Sequence, residues 1–245
     1  MDLIIRTLKF TILEALSSAR SQHKFNLIGK GYGRGGLESA LNVDFGPEQR
    51  HSAVIAFDEL IAAGLIRPTY TDIVNPEDWV EITDAGRRAF ARRALDSLDD
   101  ALLRIDGHLV ELREGAWAAL AARRPDGPRQ AAHSARELID QTLKTAAPDI
   151  EVRAMADFKP DTSSQSGITR RHRLKYLLAC IHGSVSGSDL KIVEQACDLT
   201  LAVDEKLKAL SHSRETALAE DARDALVAAE MALRRILVRA DTTKA

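Results

Sequence analysis

Three short clusters in the second half of the chain carry groups able to work on a phosphodiester. They are Ala131-Ala132-His133-Ser134-Ala135-Arg136-Glu137-Leu138, Thr169-Arg170-Arg171-His172-Arg173, and Leu210-Ser211-His212-Ser213-Arg214-Glu215. Imidazole moves a proton near neutral pH, and guanidinium holds a charged phosphate in a planar fork. His133, Arg136 and His212 are therefore the candidate catalytic residues, with Arg170, Arg171 and Arg173 as candidate nucleic-acid ligands. A solvated polar stripe is the commoner explanation of any one such cluster. No HExxH pattern appears, the acids are scattered, and Cys180 and Cys197 form no CxxC pair, so no metal site and no cofactor are expected. A serine nucleophile would need a strand–turn–helix elbow, which the pattern lacks.

The elements that must position these groups read as helices. On a helix, His133, Arg136, Glu137 and Asp140 share one face while Ala132, Ala135, Ile139 and Leu143 share another. From residue 108 onward the apolar spacing predicts helices over 109–123, 128–146, 170–182, 188–210 and 215–240. A Pro-Asp-Gly-Pro turn separates the first two, and Ala147-Pro148-Asp149 ends the second. Residues 150–169, with KPDTSSQSG at their centre, form the longest irregular stretch. A loop of that length in a helical domain is usually functional or mobile.

The first third is organised differently. Ile4, Ile5, Leu8, Ile12 and Leu16 predict a helix over 2–19. No acidic residue occurs from Ala15 to Leu37, a window holding Arg20, His23, Lys24, Lys30 and Arg34 among five glycines. Lys24, Lys30 and Arg34 could meet phosphates, since cations there release condensed counterions; a plain solvated loop fits the window about as well. A short helix at 37–41 and a turn at 42–45 precede a helix opened by Gly46-Pro47 and stopped near Gly64. Two β-favouring runs follow, 65–70 and 79–83, joined by the polar TDIVNPED. A helix then continues over 84–105, capped by Thr83 or Asp84, with Phe90, Ala94, Leu95, Leu98 and Leu102 as its buried stripe and Arg87, Arg88, Arg92 and Arg93 on it.

That order of helix, strand, tip, strand and helix looks like the second half of a winged helix-turn-helix. The resemblance implies that Gln49 and Arg50, at the start of the recognition helix, face base edges, with Arg67 flanking the wing. Their chemistry suits adenine and guanine. The acidic tip, Asp72, Glu77 and Asp78, speaks against a wing seated in the minor groove.

The 245 residues suffice for one large or two ordinary domains, at about 100–150 residues each. With 45% hydrophobic and 29% charged residues the composition is that of a soluble globular protein. A formal charge of −2 gives no global pull toward nucleic acid, so any such face is local. No leader signature or membrane span is legible, and a cytosolic protein without a membrane partner is expected.

The helical half carries a second resemblance. REGAWAALAARRPDGPRQAAHSARELIDQTL, then TRRHRLKYLL, then LKALSHSRE, resembles the predicted nuclease domain associated with prokaryotic PIWI proteins, most strongly at EGAW and AAHSARELID. It is similar more broadly to HEPN-type helical domains of bacterial defence and toxin systems. The resemblance implies an all-helical, commonly dimeric module of antiphage or mobile-element loci that cuts nucleic acid, with His133, Ser134, Arg136, Arg171, Arg173 and His212 as residues of interest. HEPN ribonucleases carry Arg, four to six residues, then His on one helix. Here that pair is missing, and Lys206 to His212 has the spacing with Lys instead. A catalytically silent, assembly-forming version stays open.

The expectation is thus a mainly α protein: a winged helix (α+β with one β-hairpin) over 1–95, a connecting helix over 96–107, and an all-α HEPN-like bundle over 108–245. It would be a homodimer acting on duplex DNA or RNA, as a defence nuclease or as a non-catalytic transcriptional regulator.

Overall fold

A computed structural model gives the fold and describes residues 5–29, 33–122, 124–183, 188–212 and 219–238. The chain divides into two compact units, residues 1–96 and 97–245.

In the N-terminal unit, α1 (Ile5–Ser17) buries Leu8, Ile12, Leu13 and Leu16, the face its periodicity predicts. The chain then forms β1 (Gln22–His23), α2 (Lys24–Ile28), α3 (Gly36–Leu41) and α4 (Pro47–Ala62), followed by β2 (Ile66–Pro68), β3 (Trp79–Ile82) and α5 (Asp84–Arg92). The expected hairpin is present: β2 and β3 pair antiparallel, with Ile66 opposite Ile82 and Pro68 opposite Val80. Pro68 is tolerated because β2 lies at the edge of the sheet, whose order is β1-β3-β2. β1 was not expected. It is only two residues long, and its pairing of Gln22 with Val80 and His23 with Trp79 leaves no periodic trace.

Two glycines explain the close approaches here. Gly64, at φ +67°, ends α4, and the Leu65 amide donates back to Leu60 O at 2.9 Å. A Cβ on Gly35 would lie 2.3 Å from Leu27 O. The glycine-rich loop therefore packs at that point against the chain's own backbone rather than opening toward a ligand.

The continuous helix expected over 84–105 is broken. Thr83 caps α5 by accepting from the Gly86 amide at 3.0 Å, and α5 ends at Arg93 in a left-handed conformation, φ 57°. α6 (Ser97–Ile105) then begins the second unit. The apolar spacing stays in phase across the break, which hides it, yet the stripe serves two cores. Phe90 and Leu95 pack into the first and Leu98 and Leu102 into the second. Leu98, Ala101 and Leu102, within the stretch assigned to a connecting helix, are thus core of the C-terminal unit.

That unit continues with α7 (His108–Ala121), α8 (Gly127–Ala146), α9 (Asp149–Arg153), α10 (Arg170–His182), α11 (Ser188–His212) and α12 (Ala219–Leu237). The predicted start of the last helix, 215–218, and the predicted ends at 123 and 239–240 lie outside the described residues. α9 was not expected: Pro148 ends one helix and sits at the N-cap of the next. α7 packs on α8 and α11 on α12, with α8 also against α11 and α12. Ala132, Ala135, Leu138, Ile139 and Leu143 of α8 are fully buried at the centre. No strand follows residue 108 among the described residues, and no described helix is long and apolar enough to cross a membrane.

Candidate functional site

The most unusual polar arrangement of the C-terminal unit lies where α8, α10 and α11 meet. Asp204 of α11 is buried, its side chain 4% exposed, and Arg170 Nη1 stands 3.1 Å from its Oδ2. Arg136 Nε approaches Oδ1 at 3.3 Å, within ion-pair reach but without hydrogen-bond alignment. Arg170 Nη2 also pairs with Asp140 Oδ1 at 3.2 Å, and Lys144 Nζ with Asp140 Oδ2 at 2.6 Å. Arg136 Nε, Arg170 Nε and Asp204 Oδ1 are buried with no hydrogen-bond partner; Thr142 Oγ1 is the one further such side-chain atom among the described residues. Arg136 Nε and Asp204 Oδ1 face each other as an ion pair at 3.3 Å, and a buried group left without any partner, as Arg170 Nε is, costs about 1–3 kcal/mol. The two arginine side chains keep close to a third of their surface exposed, 30% and 27%.

The local sequence produces this geometry simply. Arg136 and Asp140 are one turn apart on α8, opposite the alanine and leucine face that fixes the helix in the core. Arg170 opens α10 directly after Thr169, which with His172 forms a reciprocal cap. The cap fixes the first turn of α10, and the Arg170–Asp140 ion pair joins that turn to α8.

The sequence-predicted residues part company here. Arg136 and Arg170 come together. His133, one turn before Arg136, is exposed, as are Arg171 and His212, and none of the three makes an ion pair or hydrogen bond with the cluster. His212 lies about 12 Å beyond Asp204 along α11, at 1.5 Å per residue. Arg173 is turned the other way: 8% exposed, it donates to Ala147 O and to Asp149 Oδ1. It ties α10 to the α8–α9 corner, and both of its terminal nitrogens are engaged there. Asp140 and Asp204 were missed as partners. Asp140 shared the stripe of Arg136, but nothing local marks Asp204.

A second buried network is structural. Arg113 Nε and Nη2 donate to the two oxygens of Glu230 at 2.8 and 2.7 Å, Arg113 Nη1 donates to Asp99 Oδ1 at 2.6 Å, and Trp117 Nε1 donates to Glu230 Oε1 at 2.6 Å. The REGAW stretch thus locks α7 to α6 and α12.

In the N-terminal unit, Arg50 turns inward. Its guanidinium donates to Phe45 O, Ile28 O and Gly29 O and pairs with Glu38 Oε1 at 3.2 Å. A base edge would find most of these donors occupied by the chain itself. Burial alone would raise the Glu38 pKa; donation from the Gly35 and Phe45 amides, with the Arg50 charge, outweighs it and pulls the carboxyl below its ordinary value. Arg34 pairs with Asp44 at 2.7 Å and Arg67 with Glu81 at 2.6 Å. Gln49 and Lys24 are half-buried, and Lys30 lies outside the described residues. No group of three or more His, Cys, Asp or Glu among the described residues is placed to hold a metal ion.

Among curated proteins and among solved structures there is no significant match to this chain. A family model described as a predicted pPIWI-associating nuclease matches residues 101–236, which covers every side chain of the Arg136–Asp204 cluster and more than half of the 245 residues. The chain therefore belongs to the predicted pPIWI-associating nuclease family.

Proposed function

We propose that the C-terminal unit binds and cuts a nucleic-acid phosphodiester at the outer edges of Arg136 and Arg170. The observation that carries this reading is the concentration of under-bonded buried polar atoms on those two arginines and Asp204. Such costly groups are retained where a site needs them. Asp204 is then a positioning residue: its carboxylate aligns both guanidiniums, whose outer N–H groups face the phosphate oxygens. His133, exposed one turn earlier on α8, takes a proton from the attacking hydroxyl and returns one to the leaving oxygen. Arg171 holds the neighbouring phosphate, and His212, further along α11, meets the strand beyond it.

The N-terminal unit supports this as a docking module. Its α3–α4 pair followed by the β2–β3 hairpin has the order of a winged helix-turn-helix, with duplex DNA as the partner. The whole then acts as a homodimer in defence against phages or mobile elements. The test is single-turnover cleavage of labelled RNA and DNA by the full chain, with and without chelator. His133→Ala and Arg170→Ala should each slow cleavage by about 100-fold or more, with Arg136→Lys retaining part of the rate. Absent wild-type cleavage, or unchanged rates in these variants, would sink it.

A second reading has an observation of its own. Arg136 and Arg170 are matched by Asp204 and Asp140, and the HEPN-type Arg–His pair is absent. Under it the protein is a dimeric transcriptional regulator whose bundle only assembles it, and it binds duplex DNA without cutting.

A further inference from the structure

The cations expected to read nucleic acid in the N-terminal unit are largely neutralised. Arg34 is bound to Asp44, Arg67 to Glu81 and Arg50 to Glu38. Arg50 is also the sole Lys or Arg of α4, so the outward positions of that helix carry Glu48, His51, Val54 and Asp58 instead. The hairpin tip adds Asp72, Glu77 and Asp78. A phosphate backbone approaching α4 or the tip meets carboxylates.

α5 has the opposite character. From Asp84 to Arg93 it holds four arginines and one acid, a net +3 in a chain whose total is −2. Arg87, Arg88, Ala91 and Arg92 are exposed and fall on one arc of the helix, spanning about 7.5 Å of rise. Arg87 and Arg88 form no ion pair among the described residues. Ala91, one turn further along the helix, adds only a methyl group to that face. The helix is also anchored. The Thr83 cap holds its start against Gly64 O and Leu65 O, and a Cβ on Gly86 would lie 2.0 Å from Leu65 O. At its end the Arg93 guanidinium lies 5.4 Å from the Phe10 ring centre and 5.5 Å from that of Phe90.

We infer that the N-terminal unit meets the sugar–phosphate backbone of duplex DNA through the exposed arginine face of α5, not through α4 or the hairpin tip. An arginine already in an ion pair must give up its carboxylate before it can displace a counterion from DNA. Arg87 and Arg88 have no such partner to lose, and they sit on a helix with fixed ends. This rests on the reading that the N-terminal unit docks nucleic acid, and it relocates the docking face.

The test is fluorescence anisotropy of the full chain on a short duplex of arbitrary sequence, followed from 50 to 200 mM salt. Each phosphate contact contributes about 0.9 to the slope of log K against log salt. Arg87→Ala with Arg88→Ala should lower the slope by about 1.8 and weaken low-salt binding by roughly 10-fold or more. Arg34→Ala with Arg67→Ala should leave the slope where it was. Binding by the wild type with an unchanged slope in the α5 variant overturns this inference alone, as does loss of slope in the Arg34 and Arg67 variant. No salt-dependent binding by the wild type removes the docking reading and this inference with it.

Discussion

Replacing Glu230 by Ala asks whether the REGAW stretch supplies architecture or chemistry. Glu230 accepts a bidentate fork from Arg113 and a third hydrogen bond from Trp117. The participants are deeply placed: side-chain exposure is 13% for Arg113, 12% for Glu230 and nil for Asp99. Deleting the carboxylate removes the acceptors of two guanidinium N–H groups and of the indole N–H. Removing one partner of a buried pair costs about 3–5 kcal/mol. For a unit near 150 residues, each kcal/mol moves the melting temperature by about 2–4 °C, so a fall of roughly 6–20 °C is expected. Calorimetry of the full chain measures it. Glu230→Gln keeps an acceptor for Trp117 and should lose less, about 1.5–3 kcal/mol. The triple change Arg113→Met, Asp99→Leu, Glu230→Leu should recover part of the loss, because these three buried charges are removed together. A cost under about 1 kcal/mol for Glu230→Ala would place the pair with ordinary surface bridges and refute the argument. So would strict additivity between Glu230→Ala and Arg113→Ala in a double-mutant cycle.

Two further outcomes follow from the placement of single titratable groups. Because the Glu38 carboxyl sits below its ordinary 4.5 in the folded chain, its contribution to stability is complete above that pH and is lost as pH falls through the lowered value. Acid unfolding of the N-terminal unit should therefore be less steep below pH 4.5 in Glu38→Gln than in the wild type, and parallel curves by circular dichroism would contradict this. Burial, then Asp198 and Glu194, pushes the Cys197 thiol up to about 11, whereas Cys180 is exposed. Iodoacetamide at pH 8 should modify Cys180 and spare Cys197 until the protein is denatured, as peptide mass mapping would record; equal labelling of both would be inconsistent with the burial.

Much of the fold was legible because it is locally encoded. The 3.6-residue spacing of α1 and α8 reflects burial of one face and survives in the letters whatever the partner. Gly64 and Thr83 mark their helix ends through backbone chemistry confined to a few neighbours. The β2–β3 hairpin likewise needed only two β-favouring runs and a turn. What the letters left open depends on contacts between distant segments. β1 exists only because β3 offers it an edge, and the stripe over 90–102 is shared between two cores although its phase never changes.

The candidate site divides along the same line. That His133, Arg136 and Asp140 lie on one side of α8 follows from spacing alone. That Arg136 meets Asp204 and that Arg170 bridges Asp140 and Asp204 does not, because α11 must first be packed against α8 and α10. Arg170, Arg171 and Arg173 show the reason most plainly. They are near neighbours on one helix, yet each step along it turns the side chain by about 100°. One meets a buried carboxylate, one faces solvent and one closes a helix corner. Residue type and position put all three in the same short basic run; only the surrounding helices determine which of them a phosphate could reach.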